Sequence, residues 1–158
     1  MMDTNEKKSF FKDCIQKGFS LSEHQQIELV ELQDKALLRA YKKDHIFFEA
    51  AQFRSIDLGN KKLFKAFAKG SLLSNDAEVY LIKMAQIHKA QKSLFKAYIN
   101  EHSLSIAAQM QLLESDDKRL FRAYVRMYSF APQVEHQLMM LQNHELVKIY
   151  KKEYPFRI

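Results

Sequence analysis

The chain has 158 residues, 47% of them hydrophobic and 28% charged, with a formal net charge of +6 and a pI near 9.3. That hydrophobic fraction excludes a wholly disordered chain, and only three Gly and two Pro exclude the many sharp turns of a β-sandwich or barrel. There is no Gly cluster of a P-loop or dinucleotide-binding signature, no second Cys to pair with Cys14, and no apolar run near the length of a membrane span.

In chain order, Met1 to Lys8 lead into no continuous apolar run, so they do not read as a signal peptide. Residues 9–17 predict a lone helix with Phe11, Cys14 and Ile15 on its apolar face, Cys14 serving as a small buried hydrophobe. The pentapeptide Leu37-Leu38-Arg39-Ala40-Tyr41 then opens a series. Leu63-Phe64-Lys65-Ala66-Phe67, Leu94-Phe95-Lys96-Ala97-Tyr98 and Leu120-Phe121-Arg122-Ala123-Tyr124 follow, with a weaker copy at Leu146-Val147-Lys148-Ile149-Tyr150. Their offsets are 26, 31, 26 and 26 residues. Six positions after the aromatic of the first four copies stands another apolar residue: Phe47, Leu73, Leu104 and Phe130. Agreement of several columns at once marks a tandem repeat.

Each unit predicts two short helices. The first starts near Ser22, Ser74 or Ser105, residues suited to accept from the free amides of a helix start, or with Pro132 at its first position. Gln25 three residues after Ser22 completes a capping box. Ile27, Val30 and Leu32, with Phe53, Ile56 and Leu58 and later Met110 and Leu113, form its inward stripe. The second helix starts after Asp34, Asn60, Asp117 or Asn143, with Gln91 as a poor cap in the third unit. Leu37, Ala40 and Tyr41 share one face of it; the Ala column allows close contact, and the aromatic column fills the core with its hydroxyls at the rim. The five extra residues of the third unit fall between Leu73 and Leu94 and lengthen its first helix. At the other end Pro155 stops the last helix and Phe156 folds back over it.

The expected architecture is therefore all-α: a single right-handed α-solenoid of about five two-helix repeats of roughly 26 residues with capping ends. Its segments are an N-terminal cap (1–17), repeats at 18–44, 45–70, 71–101, 102–127 and 128–153, and a tail (154–158).

A charge pattern runs through the second helices. Positions four apart carry Lys35, Arg39 and Lys43, then Lys61, Lys65 and Lys69. Next come Lys92, Lys96 and Asn100, then Lys118, Arg122 and Arg126, then His144, Lys148 and Lys152. Such positions share one helical face opposite the apolar stripe, and stacking sets neighbouring faces roughly 10 Å apart. Duplication of a solvated face would give the same columns. Against that, Lys in a first helical turn opposes the helix dipole, and neighbouring rungs repel. The Lys and Arg of these columns form the candidate binding surface.

Catalysis is the weaker reading. His144-Glu145-Leu146-Val147-Lys148 lacks the second His of a zinc-protease motif, and His24, His88 and His136 have no ligand spacing. His45 and His102 fall at matching junctions, and Cys14 has no neighbour that marks a nucleophile. No catalytic residue, metal ligand or cofactor is assigned.

The Leu-x-x-Ala-Tyr core resembles short bacterial α-helical repeats of the HEAT-like and leucine-rich-variant kind, over nearly the whole chain. It lacks the tetratricopeptide Trp/Gly/Pro and ankyrin Thr-Pro-Leu-His patterns. The resemblance implies a non-catalytic scaffold. The partner expected from the columns is an acidic protein surface. The alternatives are sequence-independent nucleic-acid binding through phosphates and a small effector or inhibitor role. The expected location is the cytoplasm, with a secreted effector as the other case, and a monomer is the default state.

Overall fold

A computed structural model describes residues 1–158 and is entirely helical outside its turns. The chain divides into two compact units, Met1–Ser74 and Asn75–Ile158. The first holds α1 (Thr4–Gln16), α2 (Glu23–Glu31), α3 (Lys35–Lys42), α4 (Glu49–Asp57) and α5 (Lys61–Ala68). The second holds α6 (Asn75–Ile87), α7 (Lys89–Ile99), α8 (Ile106–Ser115), α9 (Lys118–Val125), α10 (Pro132–Met140) and α11 (His144–Glu153).

Packing follows the alternation of the helices. In the first unit α2 lies on α4, while α3 lies between α1 and α5. In the second, α6 packs on α8 and α8 on α10, and α9 touches both α7 and α11. The aromatic columns form the core of each unit. Phe47 stands 5.3 Å from Tyr41 and 4.6 Å from Phe67. Phe130 is ringed by Phe121, Tyr124 and Tyr150 at 5.4, 5.7 and 5.2 Å.

The caps follow local chemistry. Ser22 and Gln25 exchange the two bonds of a capping box. Asp34, Asn60, Asp117 and Asn143 each accept an amide three residues on. The residue before each of them adopts the left-handed region: Gln33, Gly59, Asp116 and Gln142. Asn differs from Asp here in being able to donate as well. Asn60 donates to the Gln33 side chain at 2.9 Å and Asn143 to Asp116 at 3.0 Å. Asp34 cannot donate, and it instead meets the Lys8 ammonium at 3.7 Å.

Several expectations need correction. The first helix begins at Thr4, not near residue 9, because Asp3 and Glu6 form a capping box of their own. As expected, the insertion lengthens a first helix: α6 has 13 residues where α2, α4 and α10 have nine. It also moves the next helix start back, so His88, not Gln91, is the N-cap of α7, and Gln91 is buried inside that helix. Phe156 does not fold back; it is 99% exposed, and Arg157 makes the return contact. The tyrosine hydroxyls do not lie at the rim, since Tyr41, Tyr98, Tyr124 and Tyr150 are fully buried.

A column of buried polar side chains, Gln26, Gln52, Glu78, Gln109 and Glu135, runs beside the aromatics, and tyrosine hydroxyls meet all of them except Gln52. Each of the first four accepts, on Oε1, a main-chain N–H from the start of the next helix pair. The donors are Phe48 (2.7 Å), Ser74 (2.7 Å), Ser105 (3.0 Å) and Ala131 (2.9 Å). The Gln amides have a donor to spend elsewhere. Gln26 gives it to the Tyr41 hydroxyl at 3.0 Å, and Gln52 and Gln109 to the carbonyls of Phe47 and Leu104. A carboxylate has no donor, so the direction reverses: Tyr98 donates to Glu78 at 2.7 Å and Tyr150 to Glu135 at 2.5 Å. Tyrosine oxygens also accept the amides of Leu21, Leu104 and Phe130. At Glu135 the main-chain donor is replaced by Arg157, whose Nη2 reaches Oε1 at 3.0 Å and whose Nε reaches Oε2 at 2.7 Å.

These bonds predict two pH windows. Burial pushes the hydroxyls of Tyr124 and Tyr150 up to about 12, and for Tyr150 the bond to Glu135 adds to it. The folded state therefore keeps protons that the unfolded chain gives up near pH 10, so stability falls as pH rises from about 10 towards 12. Burial would raise the Glu135 carboxyl, but Arg157 and Tyr150 together hold it below the usual carboxylate range. Its contribution is present above about pH 4.3 and is lost as pH falls through the depressed value. Urea midpoints measured across pH should show both limbs. Glu135→Gln should flatten the acid limb, and Tyr124→Phe should shrink the alkaline one.

Candidate binding surface

The basic columns lie on α3 and α5 in the first unit, and on α7, α9 and α11 in the second. Their geometry comes from the helices themselves: Leu37, Leu38 and Tyr41 of α3, and Leu120, Phe121 and Tyr124 of α9, are buried, which turns the i, i+4 basic positions outward.

The first column opens its helices at Lys35, Lys61 and Lys118. The dipole penalty there is relieved at two of them. The capping carboxylates of Asp34 and Asp117 stand next to Lys35 and Lys118, and Lys118 also pairs with Glu145. That pairing holds the Glu145 carboxyl below its ordinary range. At Lys61 the cap is the neutral Asn60. Lys92 departs from the pattern: it is half-buried and lies in the fourth position of α7, because that helix starts earlier.

The middle column (Arg39, Lys65, Lys96, Arg122 and Lys148) is exposed throughout, and none of its members makes an ion pair. The third column sits where cations are favoured. Lys43, Lys69 and Arg126 are the C-caps of α3, α5 and α9, and Lys152 lies in the last turn of α11.

In the second unit the columns of α9 and α11 face each other across an open groove of about 520 Å³. Lys118, Arg122 and Arg126 stand on one side, Lys148 and Lys152 on the other. Ile149 contributes the apolar part of the lining, and Glu145 and Glu153 the negative part. Both carboxylates were missed in the sequence, because nothing in linear spacing says which acids of one helix reach the basic face of the next.

Lys42 was missed as well. Its ammonium donates to the carbonyls of Ala66 at 3.1 Å, Phe67 at 3.2 Å and Lys69, and so ties α3 to the C-terminal end of α5. Its signal was available: the equivalent positions Ala68, Ile99 and Val125 are apolar and buried.

Two of the histidines take structural places. The His45 ring stacks on Tyr41 at 4.6 Å and that of His102 lies 4.9 Å from Tyr98. No three His, Cys, Asp or Glu side chains stand close enough to share a metal ion, and Cys14 is buried. No helix is long and apolar enough to cross a membrane. No protein-family profile, no curated protein and no solved structure matches the chain.

Proposed function

We propose that the chain is a non-catalytic binding module, a short HEAT-like solenoid whose basic second-helix columns engage an acidic protein surface in the cytoplasm. The middle column carries this reading. Arg39, Lys65, Lys96, Arg122 and Lys148 are all exposed and have no acidic partner within the chain; the first four stand in the last turn of their helices, where the dipole favours a cation, and Lys148 stands outside it. Packing of like helices on like, α2 on α4 and α3 on α5, α8 on α10 and α9 on α11, supports the solenoid.

A protein partner is favoured over nucleic acid by the character of the second helices. Single strands are held by aromatic platforms beside the cations, and the rings of these helices are turned into the core. A duplex would be held by phosphate contacts alone, with a steep loss of affinity as salt rises.

The test is a four-site charge reversal, Lys61→Glu, Lys65→Glu, Lys96→Glu and Arg122→Glu. The wild-type chain should bind immobilised poly-glutamate and retain acidic partners from a native lysate. The variant should lose both while its thermal unfolding stays within a few degrees of wild type. Unchanged retention by the variant overturns the reading. Binding to duplex DNA or RNA that is tighter than to poly-glutamate, and that weakens steeply between two salt concentrations, replaces the protein partner with nucleic acid.

A further inference from the structure

The groove between α9 and α11 has features that the other basic positions lack, and they narrow its ligand. Resting on the binding-module reading, we propose that it binds an extended acidic peptide segment, two carboxylate side chains followed by an apolar one. The ligand is thus a linear stretch of a partner protein.

Four cations define the binding stretch: Arg122 and Arg126 on α9, Lys148 and Lys152 on α11. Lys118 is outside it, since Glu145 already neutralises its ammonium. Successive basic side chains on one helix are four residues apart, an axial step of about 6 Å. Alternate residues of an extended peptide point to the same side about 7 Å apart. Two acids separated by one residue therefore match two consecutive cations of one wall. The arginine forks take carboxylates through paired N–H donors, which fixes orientation as well as charge.

The ends of the groove argue against a continuous polyanion. Glu145 stands in the first turn of α11 and Glu153 at its last residue, roughly 12 Å apart along the axis. Glu145 is already paired with Lys118, so the repulsion falls at Glu153, over which a nucleic-acid strand running the length of the groove would carry a phosphate. A peptide can set neutral residues there. No aromatic ring lines the groove, so bases would have nothing to stack on.

The apolar requirement comes from Ile149. It occupies the column that holds Ala40, Ala66, Ala97 and Ala123 in the other second helices, yet it is half-buried and lines the groove. A branched apolar side chain among cations offers contact to an apolar residue of the ligand, and about 520 Å³ holds a few side chains.

The experiment uses the full chain and a fluorescein-labelled peptide, Glu-Ser-Glu-Ser-Leu, read by fluorescence polarisation at low and physiological salt. Three reference probes are the Gln-Ser-Gln-Ser-Leu peptide, the Glu-Ser-Glu-Ser-Ser peptide and a labelled oligothymidylate. Binding of the first peptide should fall at least tenfold in the Arg122→Glu, Lys148→Glu double variant, and also in the milder Arg122→Gln, Lys148→Gln pair. It should be unchanged in a charge-matched Lys12→Glu, Lys83→Glu variant. Ile149→Ser should abolish the preference for Leu over Ser in the last position while leaving the preference for Glu over Gln. If the groove variants bind as wild type does and Lys61→Glu with Lys65→Glu abolishes binding, the groove assignment falls and the general reading stands. Absence of binding to the acidic peptide together with binding to oligothymidylate overturns both.

Discussion

Gln26→Leu should destabilise the first unit by about 3 kcal/mol, although leucine fills nearly the same volume and the site is buried. The loss comes from groups left behind. Phe48 N–H donates to Gln26 Oε1 at 2.7 Å, and the Tyr41 hydroxyl receives the Gln26 amide at 3.0 Å. A buried polar group that loses its partner costs about 1–3 kcal/mol; leucine leaves the Phe48 N–H without its acceptor, while the Tyr41 oxygen keeps the Leu21 amide and loses one of its two donors. With a urea dependence of about 2 kcal/mol per M, the midpoint should fall by roughly 1–2 M. Gln26→Glu separates the two contributions. It keeps an acceptor for Phe48, and Glu135 with Tyr150 shows the geometry in which a tyrosine hydroxyl turns round to donate to a carboxylate. The Glu variant should therefore retain most of the stability that Leu loses. If Leu and Glu prove equally harmful, shape and not hydrogen bonding dominates the site.

Phe130→Ala should cost more, about 3–5 kcal/mol, the range for truncating a fully buried aromatic ring. The Phe130 ring is 1% exposed and lies between those of Tyr124 and Tyr150, nearly parallel to the latter at 8°. No neighbouring element is free to collapse into the gap, because both tyrosines are tied at their hydroxyls, to the amides of Leu104 and Phe130 itself. Hydrogen exchange should report the loss across α9 to α11 first. Protection in α1 to α5 should change little, because Phe130 belongs to the unit Asn75–Ile158. A uniform loss over all eleven helices would mean that the whole chain unfolds in one step.

The helices, most of their starts and the aromatic core were legible in the sequence because each rests on a local rule. The pentapeptide around Tyr41 or Tyr124 sets a helical face by spacing alone, and Asp34 or Asn143 caps its helix by accepting the amide three residues on. The buried polar column was equally periodic. Gln26, Gln52, Glu78, Gln109 and Glu135 recur at the spacing of the pentapeptides, shifted by the same insertion. It escaped notice because a lone polar residue beside an apolar stripe is most readily assigned to solvent, and its partners in other helices and their starts lie 15 to 27 residues away. The basic positions were legible as exposed columns, since burial of their neighbours dictates their direction. Their mutual arrangement was not. The pairing of Lys118 with Glu145 and the place of Ile149 in the groove depend on how α9 and α11 sit together, which no spacing rule contains. Lys92 was misplaced for a local reason: the insertion lengthened α6 and shifted the start of α7.

The joint between successive helix pairs bears on how such a chain can lengthen. On one side it uses a Gln or Glu; on the other it uses only a main-chain N–H, supplied by Phe48, Ser74, Ser105 and Ala131, three different residue types. Any residue but proline offers that amide. A copied segment therefore arrives already able to dock on its predecessor, and later drift in its own sequence does not undo the connection. Arg157 satisfies the last such acceptor with a side chain instead. Insertion of one more pair ahead of the tail would demand no new chemistry, only transfer of that guanidinium to a carboxylate one copy further on.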